Sequence, residues 1–464
     1  MAKCWLLITA TFLFGSTQAA DCEQCFRDLY KELVETNTTL SSGDCTLASE
    51  RMAARLKKAG YTDGQVRVVV PDKFPKQGNL VAQLPGSDKS LPAVLLLAHI
   101  DTVEAQRSDW ARDPFTLVEE NGYFYARGAI DDKAMAASFV DALIRLRQEG
   151  FRPKRTLKLA LTCGEETDHV FNGVQYLLAT EPETLQAGWV VNEGGKGTLD
   201  EHGKPVSFGI QIGEKIYQDF ELVTTSPGGH SARPTDDNAI DRLAAALLHV
   251  SEFKFPINAT PVTKEFFRRS AEHYSGQEAA DMLAIGNSTA DAAAFERIAR
   301  ANRYWNAFLR TTCISTTITG GHASNAQPQR AEANINCRIM PGESVDGVHR
   351  KLEELVADPK VSVALAAPPG PQSSSPALTP QILQPAEKIV AQMWNVPVIP
   401  TLSTGATDGR FLNAAGLPTY GISGVFVDPD GNGVHGLNER VRVQSLLDGR
   451  TFLYRLVKAY GASR

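Results

Sequence analysis

Four short segments carry side chains able to hold metal ions and to work on water. They are His99-Ile100-Asp101, Gly128-Ala129-Ile130-Asp131-Asp132-Lys133, Gly164-Glu165-Glu166 and Asn192-Glu193-Gly194-Gly195. Singly, each is ordinary: a His-x-Asp triplet is common, Asp131 could cap a helix, and a Glu-Glu pair suits a solvated turn. As a set they differ, because three of them end strand-like runs and the fourth opens a helix. Carboxylates gathered at one sheet edge repel one another unless they share protons or bind a cation. Nitrogen and carboxylate ligands without thiolate suit Zn²⁺, and Co²⁺ or Mn²⁺ also fit such a set.

Each residue then has a role. His99 ligates a first ion through a ring nitrogen, and Asp101 orients that ring. Asp131 bridges two ions with its two oxygens, Glu193 completes the first ion, and Glu166 serves the second. The second ion still needs an imidazole. Among nine histidines the best placed is His435, glycine-flanked in Gly433-Val434-His435-Gly436-Leu437-Asn438-Glu439. Two ions ~3.5–4 Å apart can hold a water and polarise a carbonyl. Glu165 is left over beside a ligand, placed to act as general base toward that water and then as acid toward a leaving nitrogen.

The elements that must position these groups are readable. Residues 92–98 form a continuous apolar run, as in a strand buried on both faces, and residues 156–163 and 189–191 are further strands. Between them, residues 132–147 and 170–179 read as helices. Strand and helix in alternation predict an α/β domain, with the ligand site at the carboxyl ends of the strands. The middle of the chain differs: strands over 217–225, 311–319, 333–340 and 361–366, and helices over 239–253, 278–308 (with breaks) and 345–356, suggest a smaller α+β unit. Residues 368–376, rich in Pro, Gly and Ser, read as a linker.

The constellation resembles the dinuclear zinc metallopeptidase family that includes aminoacylase, glutamate carboxypeptidase and succinyl-diaminopimelate desuccinylase. His99 and Asp101 match its His-x-Asp motif, Asp131 and Lys133 its Asp-x-Lys, Glu165 and Glu166 its Glu-Glu pair, Glu193 its later Glu, and His435 its C-terminal His. The motifs occur in the family's order over nearly the whole mature chain. One departure is Ala134, where the family usually has Gly. The resemblance implies two Zn²⁺ per subunit and a catalytic domain with a central mixed sheet flanked by helices. That domain would be discontinuous, over residues 21–215 and 371–464, with an inserted α+β lid and dimerisation domain over 216–370. It also implies a homodimer. Within Gly228-Gly229-His230-Ser231-Ala232-Arg233-Pro234, His230 resembles the lid histidine that stabilises a carbonyl oxyanion, often across a dimer. Asn325, Arg338 and Gly405 resemble substrate-binding positions, with Arg338 offering a fork to a carboxylate.

Composition narrows the rest. The 464 residues carry 47 Lys and Arg against 53 Asp and Glu, a net charge of −6, which does not suit nucleic acid or an anionic membrane surface as partner. Lys3, the apolar run 4–14 and the small residues 15–20 have the layout of an export signal cleaved after Ala19 or Ala20; the run is too short to span a bilayer, which takes ~20 residues. A secreted or periplasmic protein is therefore expected. Of seven cysteines, Cys22, Cys25 and Cys45 cluster where an exported protein could form a disulfide, Cys313 and Cys337 could pair across neighbouring strands, and Cys163 reads as a small core residue. The leading expectation is hydrolysis of an amide bond next to a free carboxylate, as a carboxypeptidase or dipeptidase does. N-acyl-amino-acid deacylation is the close rival, since it uses the same machinery. A binding protein on an inactive scaffold is disfavoured because Glu165 and all five ligand candidates are present. A two-metal phosphoesterase is disfavoured because no phosphate loop is found.

Overall fold

The computed structural model describes residues 22–464 apart from Asp168 and Ser373. The expected export signal lies outside the described residues. Among them, no helix is long and apolar enough to cross a membrane.

The main body is a mixed ten-stranded sheet. Its strands are β1 (Val66–Val69), β2 (Asn79–Leu84), β3 (Val94–His99), β4 (Leu157–Thr162), β5 (Trp189–Asn192), β6 (Gly197–Leu199) and β7 (Pro205–Glu214). After the second sheet described below come β12 (Val398–Ser403), β13 (Thr419–Gly421) and β14 (Phe426–Val427). The order across the sheet is β1-β2-β4-β3-β5-β13-β7-β6-β14, with β12 also on β7. The apolar run in β3 has a simple cause. Val94, Leu96 and Ala98 feed one core layer, with the helices Lys133–Gln148 and Val443–Ala462, while Leu95 and Leu97 feed the opposite layer, with the helix Gly173–Thr180. A strand between two helical layers has no face left for polar residues. The strand β3 runs parallel to both β4 and β5, with His99 opposite Thr162 and Leu96 opposite Val191. The three strands thus end at one rim, as the sequence predicts.

The second sheet is antiparallel, with strands β8 (Ile216–Thr225), β9 (Thr312–Gly320), β10 (Arg330–Ile339) and β11 (Val361–Leu365) in the order β9-β10-β8-β11. Strict alternation along β8 sends Phe220 and Leu222 into a core with the helices Ala239–Glu252 and Val345–Val356. The opposite face is polar: Asn334 and Asn336 each donate to Asp219 Oδ1 at 2.9 Å. The strand β9 lies at the edge, with Ile314 and Ile318 67% and 61% exposed.

The long helical stretch predicted over 278–308 is three helices, Gly276–Gly286, Ala292–Ala301 and Arg303–Leu309, the last two N-capped by Asp291 and Asn302. With the helix Pro261–Ser270 they build a core around Phe267, Met282, Trp305 and Phe308 that takes in Leu402 of β12. At the junction of the two sheets Lys215 is buried, and its Nζ donates to the carbonyls of Ala307 and Arg310, both at 2.9 Å. These carbonyls end a helix, where a cation is favoured, although burial draws the Lys215 pKa down to about 7.

Three disulfides are formed: Cys22–Cys25, Cys313–Cys337 and Cys45–Cys163. The second of these expected pairs forms between directly opposed residues of β9 and β10. The last bond corrects the sequence reading, in which Cys163 was a packing residue. The helix Cys45–Lys58 lies over β2, next to β4, and this brings Cys45 to the end of β4 from 118 residues away.

Candidate metal centre

The rim formed by β3, β4 and β5 gathers the predicted ligands around Asp131. His99 Nε2 lies 3.1 Å from Asp131 Oδ1 and 3.8 Å from Glu193 Oε1. His435 Nε2 lies 3.2 Å from Asp131 Oδ2 and 2.9 Å from Glu166 Oε1. The two oxygens of one carboxylate therefore face two different imidazoles. Ligands bound tetrahedrally at 2.0–2.2 Å stand about 3.3–3.6 Å apart, so these separations suit donors sharing ions. Two trios have ligand atoms within 4.8 Å of one another: His99, Asp131 and Glu166, and His99, Glu165 and Glu193. The donor set, all imidazole and carboxylate, fits a pair of zinc-like ions.

Charge in this cluster is finely opposed. Burial resists ionisation of Asp131, but hydrogen bonds from His435 and His99 outweigh it and hold the carboxyl well below the usual range. Burial, with Asp131 and Glu166 nearby, pushes Glu193 up to about 8. Burial again, then the charge of Glu193, raises Glu165 well above an ordinary glutamate. Hydrogen bonds to Asp131 and Glu166 raise His435 to about 10. Burial disfavours a charge on His99, yet its carboxylate partners lift it well above an ordinary histidine. Excess negative groups in a buried cluster are the environment a divalent cation relieves.

Asp101 works through two of its parts. Its carbonyl oxygen, not its carboxylate, lies nearest His99 Nδ1, at 3.1 Å against 3.6 Å. Its carboxylate instead accepts the N–H groups of Glu165 at 3.2 Å and Glu166 at 3.0 Å, pinning the turn that carries the candidate base.

Two acidic residues that the sequence reading left without a role support the rim. Glu439 is buried and accepts from the N–H groups of Gly128, Ile130 and Asp131 and from Arg127 Nη1, all within 3.2 Å. It thus clamps the loop that presents Asp131, from the same C-terminal segment that presents His435. Asp408 accepts from Thr162 Oγ1 at 3.2 Å and Asn172 Nδ2 at 2.6 Å, tying the loop 404–410 to the end of β4, and burial brings its pKa up to about 6. For Glu439 the available signal was its place at the end of the glycine-rich segment that carries His435. Lys133, fully buried, donates to Thr36 O at 2.8 Å, and burial lowers its pKa to about 7.

The remaining candidates are not gathered at the rim. His230 and Asn325 stand together in an exposed two-strand ribbon, where Gly229 and His230 pair with Gln327 and Ala326, and Ser231 N–H donates to Asn325 O. Among the described residues neither makes a hydrogen bond or ion pair to the metal centre. His230 Nδ1 accepts from Ala232 N–H at 3.0 Å, which leaves the proton on Nε2 in the neutral ring. Arg338, on β10, packs its guanidinium over the Tyr217 ring and reaches to 3.5 Å from Thr404 O, beside Gly405. The Gly405 N–H donates to Ser403 Oγ at 3.0 Å.

A mixed sheet with a carboxylate-bridged imidazole pair at its strand ends defines a candidate dinuclear-metal hydrolase. The family model described as Peptidase family M20/M25/M40 matches residues 95–459, and the chain belongs to that family. It is 29% identical over 423 residues to the mouse N-fatty-acyl-amino acid synthase/hydrolase PM20D1, covering 89% of this chain and 83% of that protein. It is 27% identical over 394 residues to the probable carboxypeptidase S-like 2 of Dictyostelium discoideum, covering 82% and 74%. In fold it resembles an M20 family metallo-carboxypeptidase from Sulfolobus solfataricus, with a TM-score of 0.68, 16% identity and coverage of 94% and 99%. The chain is thus a metallopeptidase or amidohydrolase of family M20, acting on amide bonds.

Proposed function

We propose that the chain hydrolyses the amide bond next to a free carboxylate, in a peptide or an N-acyl amino acid, as an exported homodimer with two zinc ions per subunit. The observation that carries this reading is Asp131 set between the imidazoles of His99 and His435, with Glu165 alongside. His99, Asp131 and Glu193 would hold one ion, and Asp131, Glu166 and His435 the other. Bound there, zinc supplies Lewis acidity toward the scissile carbonyl and acidifies a water.

The protein's own groups do the rest. Glu165 takes the proton of the attacking water and delivers it to the departing nitrogen. Its place in the cluster, with ligand atoms of His99 and Glu193 within 4.8 Å, sets it beside the water it would deprotonate. His230 donates from Nε2 to the carbonyl oxygen as negative charge develops there. Because His230 sits in the exposed ribbon, this donation comes from a second copy. The exposed edge β9, with Ile314 and Ile318, is the surface on which that copy extends the sheet. Arg338 and the loop at Gly405 hold the substrate carboxylate, with Asn325 beside the His230 ribbon.

The peptide reading follows from export. The acyl reading is favoured by the names of relatives, which include N-fatty-acyl-amino acid hydrolases and mouse aminoacylase-1, 23% identical over 439 residues. The test is a panel of dipeptides, N-acyl amino acids and a phosphate ester, assayed on zinc-loaded and chelator-treated protein with metal counting. Expected is chelator-sensitive turnover of an amide substrate, two zinc per chain, and one fewer in His435→Ala. An unchanged metal count in that variant removes His435 from the ligand set, and phosphate-ester turnover alone overturns the reading.

A further inference from the structure

We propose that the Cys22–Cys25 bond is a thiol–disulfide exchange site, separate from the metal centre, that takes two electrons from a dithiol while the other two disulfides hold the fold.

The three bonds differ in place. Cys45 and Cys163 are 2% and 0% exposed, just past the end of β4. Cys337 is fully buried on β10, and Cys313 is half-buried on β9, within the register of paired strands. Cys25 is exposed and Cys22 half-buried. An attacking thiolate must reach one of the two sulfurs, so access decides which bond reacts. Chain separation points the same way. The Cys22–Cys25 bond spans 3 residues, against 24 and 118 for the others, so opening it returns the least freedom to the unfolded chain.

Local structure supplies a leaving group. The segment Cys22-Glu23-Gln24-Cys25 opens the helix Glu23–Val34, with Cys22 as its N-cap. The Cys22 Sγ already accepts the N–H of Cys25 at 3.1 Å. That donor and the positive end of the helix dipole stabilise negative charge on this sulfur. Glu23, the acid of the first turn, is engaged by Arg27 Nε at 2.7 Å, which offsets its opposing charge. Cys25, the exposed member, offers the sulfur open to attack.

The exchange balances. A thiolate of the dithiol bonds to Cys25 Sγ, the S–S bond breaks, and its electron pair stays on Cys22 Sγ. The second thiol of the reagent gives up its proton and attacks the reagent's own sulfur in the mixed disulfide, and Cys25 leaves as thiolate. The dithiol ends as a disulfide, and the protons it loses pass to Cys22 and Cys25. Below this turn the helix is anchored without the bond. Phe26, Leu29, Tyr30 and Leu33 are buried, and Tyr30 Oη donates to the carbonyl of Ala129, in the loop that presents Asp131. The candidate metal loop is therefore held in either redox state.

The test treats the metal-loaded full chain with limiting dithiothreitol, or with the monothiol 2-mercaptoethanol, quenches with a maleimide tag, and locates tags and adducts by peptide mass mapping. Expected is opening of Cys22–Cys25 faster than that of Cys313–Cys337 by about tenfold or more, with Cys45–Cys163 intact. The monothiol adduct should sit on Cys25. Metal content and amide turnover, measured after the reagent is removed, should be unchanged. Opening of Cys313–Cys337 first, or at an equal rate, overturns the exchange site. An adduct on Cys22 overturns the attack at Cys25, and loss of metal in step with opening overturns the separation from the metal centre.

Discussion

The rim of the large sheet and the separate two-strand ribbon that carries His230 meet opposite standards of readiness. At the rim, Asp131, His99, Glu166, Glu193 and His435 stand within reach of one another inside one chain, and buried Glu439 and Asp101 fix the loops that carry them. In the ribbon, His230 and Asn325 are exposed and hydrogen-bond only to their own surroundings. Ligands for highly charged ions must be held before the ions arrive. An oxyanion donor has only to be present when charge develops, and can therefore come from a mobile element or another subunit.

The sharpest break of this contrast removes the base. Glu165→Gln should lower turnover by about 10²–10⁴-fold while the metal count stays at two, checked by steady-state rates and elemental analysis. Retained turnover would take Glu165 out of the mechanism. Next comes the support of the rim. Glu439→Ala strands Arg127, with which Glu439 forms a buried ion pair at 2.8 Å, together with three backbone N–H groups. A loss of about 3–5 kcal/mol in denaturant unfolding is expected, with weaker metal binding.

The ribbon is then challenged separately. His230→Ala should reduce kcat by about 10²–10³-fold with metal content intact. Mixing it with Glu165→Gln chains should restore activity if the donor crosses between copies, and absence of rescue would place the donor in the same chain. The smallest contrast lies in the disulfides. Breaking Cys45–Cys163 should cost about 2–4 kcal/mol, and breaking Cys313–Cys337 roughly 1.4 kcal/mol less, since it closes a loop of 24 residues against 118. Equal shifts in thermal unfolding would show that strain or denatured-state structure dominates over chain entropy.

What could be read from the sequence divides along similar lines. The apolar run through Ala98 and its parallel neighbours place His99, Glu165 and Glu193 at one rim without knowledge of packing, because strand direction and alternation are local properties. His435 could be singled out by its glycines, although its contact with Glu166 spans 269 residues. The bond from Cys163 to Cys45 could not, since it depends on how the second helix lies over the sheet. Nor could the clamp by Glu439, whose partners lie more than 300 residues earlier. The division of labour within Asp101, carbonyl to the ring and carboxylate to the turn, needs atomic positions.

The clamp Glu439 and the imidazole of His435 both come late in the chain, while the other candidate ligands and the candidate base are all made by residue 193. During synthesis the early strands can pair, but the loop bearing Asp131 lacks its anchor and the second ion lacks a ligand. The growing polypeptide would thus lack a complete centre until residues 435–439 have been made and folded back onto the rim. Removing residues 435–462 would take away this anchor and imidazole together with the helix Val443–Ala462, whose Phe452, Leu453 and Tyr460 sit in the main core, so the centre and the packing behind it stand or fall as one.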